Sequence, residues 1–311
     1  MVIGDIMIDS YFHGKVERIS PEAPVPVVTV ERKEHRLGGA ANVALNLKAM
    51  EADVILCGIT GEDAERDLML KLLNEKNIGI AGIMCENGRK TTVKTRIIGN
   101  KHQVLRIDLE DTDEIQPNTA QKILSFVQAE IDTCDVVIIE DYNKGMLTGE
   151  VIQKILEIAK KSAKPVVVDP KLDHFFDYQG VALFKPNRKE VKEGLKTDLD
   201  LHQPENVKTA IQELSEKLHC DYVMITLSEQ GMMVGNQTES IHLPAHERKI
   251  ADVSGAGDTV ISIAALCVAQ KTSAEVMARL ANLSGGLVCE KPGVVPVDKS
   301  LLLQEYEAHY L

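Results

Sequence analysis

Six short, mainly apolar runs recur along the chain: Val2–Ile8, Val54–Cys57, Val136–Ile139, Val166–Val168, Ala182–Phe184 and Tyr222–Thr226. A strand with one wet face alternates apolar and polar residues. Runs that are apolar at nearly every position need cover on both faces, as in a parallel sheet clad by helices. Stretches of helical period lie between them: Ala40–Met50, Ala64–Asn74, Thr119–Ile131, Gly149–Lys161 and Glu205–Leu218. In the last, Val207, Ile211, Leu214 and Leu218 form one apolar stripe. The alternation predicts an α/β fold with right-handed crossovers and a mostly parallel central sheet between two helical layers, α/β/α.

Two regions break the rhythm. Residues 14–37 carry three prolines and alternating β-branched positions, and residues 91–109 read as two strands around a Gly-Asn turn. They predict a small β lid inserted in a single domain spanning residues 1–311. From Gly257 to Leu311 the pattern is helical, with a break at Lys291-Pro292-Gly293. The first strand begins at residue 2 with no lead-in, which reads as a clipped or late start.

The charge of −12 argues against a nucleic-acid partner, whose phosphates need a basic surface. It leaves room for small anions, because a few cations in one cleft outweigh an acidic exterior. The longest apolar stretch, Val260–Ala269, is about half of the ~20 residues a membrane-spanning helix needs, so no membrane partner is expected. Met1 is followed by no basic, apolar leader. Six scattered cysteines without a C-x-x-C pair read as reduced packing residues of a cytoplasmic protein.

Chemistry concentrates in Asp252-Val-Ser-Gly-Ala-Gly-Asp258-Thr259, just before an apolar helix. Small residues at a helix N-terminus expose successive N–H groups, so Gly255, Ala256 and Gly257 form a site for phosphate or a developing anion. Asp258 beside that site is placed to take a proton from an attacking hydroxyl. Gly38-Gly39 lets backbone approach a ligand, and Asn42 offers a donor and an acceptor. Asp9 follows the first strand, where open α/β sheets border their ligand crevice. Asp9 and Asn42 suit a polyol. In the lid, Lys94 and Arg96 lie two apart on one strand and share a face, with Arg106 on the partner strand. A Rossmann dehydrogenase is excluded, since no G-x-G-x-x-G follows the first strand.

These elements, in this order, resemble the ribokinase-like (PfkB) carbohydrate kinases over essentially the whole chain. One family signature is similar to Gly38 through Ala44 continuing to Gly61, the other to Asp252 through Asp258, and Lys185-Pro-Asn187-Arg-Lys-Glu190 is similar to the family's N-x-x-E element. Glu51 departs from the pattern, standing where the family has a helix-ending Gly. The resemblance implies ATP as phosphoryl donor, with Mg²⁺ near Asn187 and Glu190 held largely through water. It also implies an auxiliary K⁺ near Asp252 and a nucleotide pocket at Asn187, Thr226, Ser228, Gly231, Gly255, Gly257 and Asn282.

Within the family, Arg18-Ile-Ser-Pro-Glu-Ala-Pro-Val-Pro26 looks like the heptose-phosphate kinases of lipopolysaccharide-core synthesis. So do Gly4–Asp9, Glu140–Gly145, Asp169–Lys171 and Thr226–Gly231. That implies phosphorylation of a heptose 7-phosphate at its anomeric hydroxyl. Asp141, Lys144 and Lys171 would then stand near the sugar, with Lys94, Arg96 and Arg106 as cations for the 7-phosphate. The chain ends without the nucleotidyltransferase often fused to such kinases, which reads as a standalone form, and a homodimer through the lid is expected. The alternatives are a kinase for a fructose phosphate, ribose or a ketodeoxygluconate, or a sugar-binding regulator without catalysis.

Overall fold

The structure, a computed structural model, describes residues 1–311. In chain order the first half runs β1 (Val2–Gly4), β2 (Ile6–Ile19), β3 (Pro26–Gly39), α1 (Ala40–Ala49), β4 (Leu56–Thr60), α2 (Ala64–Glu75), β5 (Gly82–Cys85), β6 (Val93–Gly99), β7 (His102–Leu109) and α3 (Pro117–Glu130). Then follow β8 (Val137–Glu140), α4 (Gly149–Lys161), β9 (Val166–Asp169), β10 (Leu183–Phe184), α5 (Arg188–Gly194) and α6 (Pro204–Leu218). The last third holds β11 (Tyr222–Thr226), β12 (Met232–Gly235), β13 (Ser240–Leu243), α7 (Ala256–Ala269), α8 (Ala274–Cys289) and α9 (Lys299–Tyr310).

Nine strands form the central sheet in the order β13-β12-β11-β10-β9-β8-β1-β4-β5, all running the same way except β12. Successive residues of each inner strand enter opposite cores. Val2, Ile138, Val167, Leu183 and Met224 pack on one side with α1, α2, α7 and α8. Ile3, Ile139, Val168, Phe184 and Val223 pack on the other with α3, α4 and α6. Burial on both faces is why these strands are apolar without alternation.

The lid is a four-stranded sheet, β3-β2-β6-β7, and it begins earlier than residue 14. The run Val2–Ile8 is two strands, because the chain leaves the central sheet at Asp5. The Asp5 N–H donates to the Glu140 carbonyl and its own carbonyl accepts from Ala40, so this residue ends β1 and anchors α1. The β6–β7 turn falls on Asn100 and Lys101, one residue later than expected, with φ of 52° and 70°. Two left-handed residues match the twist of a tight hairpin. Parallel pairing of β2 with β6 sets Asp9 beside Lys94 and Tyr11 beside Arg96. Alternation puts all four side chains on one lid face.

Helices fall within two residues of their expected limits, Pro117 and Pro204 supplying the first turns of α3 and α6. The strand β5, the β12–β13 hairpin and the short helix α5 were not expected from periodicity; two to four strand residues carry too little pattern. All six cysteines are free, and no helix is long and apolar enough to cross a membrane.

Glu51 has the left-handed backbone that its place after α1 demands, φ 66°, and its carboxylate pairs with Lys299. A side chain there costs about 1 kcal/mol relative to glycine, and an exposed ion pair returns less than that. Glu51→Gly should therefore raise the unfolding midpoint by roughly 2 °C; a lowered midpoint in thermal or urea unfolding would show that the Lys299 pair outweighs the strain.

Candidate active site

The polar groups expected to do chemistry gather where the C-terminal ends of β1, β8, β9, β10 and β11 meet the N-terminus of α7. Asp258, in the first turn of α7, is 4% exposed. The Asn42 carboxamide donates to its Oδ2 at 2.7 Å and the Tyr142 hydroxyl donates to its Oδ1 at 2.9 Å. Burial pushes its carboxyl up to about 6; the two hydrogen bonds oppose that shift, and the charges of Asp169 and Asp9 add to it. Asn42 is set in turn by Asn46, whose Nδ2 donates to the Asn42 carbonyl while its Oδ1 accepts from Thr259 and from the Val297 N–H.

Gly255 caps α7 with φ 78°, and a β-carbon there would lie 2.9 Å from the Asn42 Nδ2. Only glycine meets both the left-handed backbone and the close approach. The amides of Gly255 and Gly257 have no backbone acceptor, whereas Ala256 donates to the Val253 carbonyl at 3.3 Å. Of the three amides expected to face an anion, Ala256 is thus already engaged.

Beneath this cradle lies a row that periodicity did not reveal. Glu140 and Asp169 are register partners at the ends of β8 and β9, and Lys185 follows on from β10. The Lys185 ammonium bonds the Asp169 carboxylate at 2.6 Å, both groups buried. A β-carbon on Gly257 would be 3.7 Å from each of them. Burial works against the Lys185 charge, but Asp169 and Glu140 together raise its pKa. Glu140 is 1% exposed and neither of its carboxyl oxygens has a hydrogen-bond partner. Burial, then the charges of Asp169 and Asp258, push its pKa well above the ordinary carboxylate range, against the pull of Lys185 and Lys171. Each of these residues ends or directly follows a strand run, the position that borders a crevice in such sheets. That was the signal available for them.

On the lid side, Arg96 bonds Asp9 and stacks on Tyr11, its guanidinium 5.2 Å from the ring centre. Gly38 admits the Asp9 carboxylate, since a β-carbon would stand 2.2 Å from Oδ2. Gly39, at φ 56°, makes the turn into α1. Lys94 and Lys144 converge on Glu110 at 3.5 and 2.9 Å, from lid and body respectively. Two further expected residues have partners of their own. Arg106 stands on the outer lid strand opposite Arg96, half exposed and held by Asp108 at 2.9 and 3.0 Å; the same carboxylate lies 3.7 Å from the Lys94 ammonium. The Asp141 carboxylate turns into the core, accepting from the Tyr178 hydroxyl at 2.7 Å and the Asn143 N–H at 2.8 Å, and so shapes its loop. The carboxylate that does organise this loop toward the site is Asp5, which accepts from the N–H groups of Tyr142 and Lys144.

At the other end, Asn187 and Glu190 form a reciprocal capping box at the start of α5. The second Glu190 oxygen pairs with Lys171, which also lies 5.2 Å from the Tyr142 ring centre. Thr226 bridges to Asn187, so the ends of β10 and β11 are adjacent. Ser228 and Gly231 follow with left-handed backbones, φ 54° and 83°. Asn282, on α8, donates to the Pro244 carbonyl at 2.8 Å and ties down the strand-to-loop exit after β13. Asp252 accepts from the N–H groups of Ser254 and Gly293, both at 2.9 Å.

Comparison with known proteins identifies the family and the fold. Residues 1–299 match the family described as pfkB family carbohydrate kinase. The bifunctional protein HldE of Helicobacter pylori is 39% identical over 293 residues, 94% of this chain and 63% of that protein. HldE of Desulfatibacillum aliphaticivorans is 39% identical over 305 residues, 97% and 62% respectively. The chain thus spans less than two thirds of the length of these relatives. Among solved structures, Escherichia coli phosphofructokinase-2 in complex with potassium superposes with a TM-score of 0.81 at 18% identity, covering 99% of this chain and 97% of that one. Arabidopsis thaliana ribokinase complexed with ribose and ATP gives 0.74 at 17% identity, covering 97% and 96%. These two likenesses establish the ribokinase-like fold. The match over nearly the whole sequence establishes the family: the chain belongs to the pfkB carbohydrate kinases.

Proposed function

We propose that this sugar kinase uses ATP to phosphorylate the anomeric C1 hydroxyl of D-glycero-β-D-manno-heptose 7-phosphate, giving the 1,7-bisphosphate, a step of lipopolysaccharide-core synthesis in the cytoplasm. The observation that carries the reading is the buried Asp258 carboxylate, held by Asn42 and Tyr142 beside the unengaged amides of Gly255 and Gly257. The 39% identity to HldE proteins and the Arg18–Pro26 segment support heptose phosphate over other sugars.

In the proposed step the sugar oxygen forms a bond to the γ-phosphorus as the bond to the β-phosphate oxygen breaks, and the hydroxyl proton passes to Asp258. The amides of Gly255 and Gly257 stabilise charge on the transferring group, and Lys185 and Lys171 supply cations next to it. Asp9 and Asn42 orient sugar hydroxyls. Arg96, Lys94 and Lys144 are the cations available to the 7-phosphate. Thr226, Ser228, Gly231 and Asn282 border the nucleotide.

At the start of α5 the oxygen donors are one carboxylate, Glu190, and the Asn187 side chain. Such a sparse oxygen set suits Mg²⁺, which keeps most of its water. When bound, Mg²⁺ neutralises charge on the β- and γ-phosphate oxygens. Each Asp252 oxygen accepts a single amide and retains lone pairs that suit K⁺. The lid face opposite Asp9 and Arg96 exposes Leu105 and Ile107 by more than half, which supports homodimerisation through the lid.

Purified protein with ATP, Mg²⁺ and heptose 7-phosphate should yield a sugar bearing a second phosphate at C1, read by ³¹P–¹H correlation NMR. Phosphate at another carbon, or no turnover with this sugar and rapid turnover with fructose 6-phosphate, would contradict the assignment. Asp258→Asn should lower kcat by about a thousandfold or more with ATP binding retained, because the carboxamide keeps both partners and loses basicity. In the wild type, Asp258 must be ionised to act. Its pKa of about 6 therefore sets an acid limb, with kcat/KM level above that pH and falling about tenfold per unit below it. A near-normal kcat for Asp258→Asn would remove the base assignment.

A further inference from the structure

The break at Lys291-Pro292-Gly293 is where the lid grips the body. Arg36, on β3, donates from Nη1 to the carbonyls of Pro292 and Val294 at 3.0 and 2.9 Å. The Tyr11 hydroxyl, on β2, accepts from the Val294 N–H at 3.3 Å. Both backbone groups of Val294 are therefore held by lid side chains. Glycine is obligatory at 293, where φ is 71° and a β-carbon would lie 2.6 Å from the Arg36 Nη1.

The same loop presses on the phosphate cradle. The Val294 side chain would stand 3.1 Å from a β-carbon on Gly255, so it abuts the residue that caps α7. The Gly293 N–H is taken by Asp252, whose other oxygen accepts from Ser254, one residue before that cap. On the lid, Asp9 is the register partner of Arg36, and the Tyr11 ring lies between the guanidinium groups of Arg36 and Arg96, each 5.2 Å from its centre. One continuous set of contacts thus runs from the sugar side, Asp9 and Arg96, to the amides at Gly255–Asp258.

We infer that Arg36, assisted by Tyr11, is a positioning residue through which the lid sets the amide cradle at the start of α7. It touches neither of the reacting groups. The guanidinium suits the role because Nε and Nη2 are fixed by Glu34 while Nη1 donates to both carbonyls, a division a lysine ammonium reproduces poorly.

The activity arm of the test rests on the kinase reading above; the exchange arm does not. In ligand-free Arg36→Met, amide hydrogen exchange should quicken at Gly293 and Val294 and also at Ser254, Ala256 and Thr259, with α3 and α4 unchanged. Tyr11→Phe, a milder change, should do the same more weakly. With ATP and heptose 7-phosphate, kcat of Arg36→Met should fall about 100-fold while both KM values move little, and methylguanidinium should restore part of kcat. Faster exchange confined to residues 293–294, or spread evenly over the whole chain in both variants, would overturn the inference, as would a wild-type kcat. If the wild-type protein ignores the heptose phosphate, the proposed substrate falls and the exchange pattern still decides the role of Arg36.

Discussion

A carboxylate removed from water and given only two neutral hydrogen bonds governs how the rest of this protein is built. Asp258 is buried at the head of α7, where Asn42 and Tyr142 reach it from α1 and from the loop after β8. Its oxygens are oriented without a salt bridge, so it keeps basicity that a paired cation would remove. Three separate parts of the chain must arrive together for this to hold, and the central sheet brings them there. Asp5 ends β1 and anchors α1, Asn46 locks Asn42 to α7, and Asp5 again fixes the loop that carries Tyr142.

Charge is distributed with the same economy. The chain is acidic overall, yet Lys171 and Lys185 lie in the crevice with Lys94, Arg96 and Lys144 at its lid edge, each paired to a carboxylate in the absence of ligand. These pairings keep buried cations from standing alone. Glu140 is the exception, a buried carboxyl with no hydrogen-bond partner, whose pKa is raised by burial and by the charges of Asp169 and Asp258.

Much of this was legible in the residues because two-sided burial writes itself as unbroken apolar runs, and because Gly255, Gly257 and Asp258 are contiguous. The lid was legible as a hairpin signal, but its true start at Ile6 was hidden: Asp5 interrupts an otherwise continuous apolar run, and only the hydrogen bonds of its backbone show that the chain changes sheet there. Glu140, Asp169 and Lys185 were present in motifs without a role, since their adjacency comes from strand register and no local spacing encodes it. Arg106 and Asp141 show the same limit from the other side. Sharing a face or a motif does not determine whether a neighbouring Asp108 or Tyr178 will claim the side chain first.

The central claim is that Asp258 is a carboxyl whose basicity burial has raised. Carboxyl ¹³C titration of aspartate-labelled, ligand-free protein tests it most directly. One resonance should titrate with a midpoint near 6 and be missing from the Asp258→Asn protein. If that resonance instead titrates with the exposed aspartates, at or below about 4, the carboxylate is solvated or paired and the account of the site is wrong.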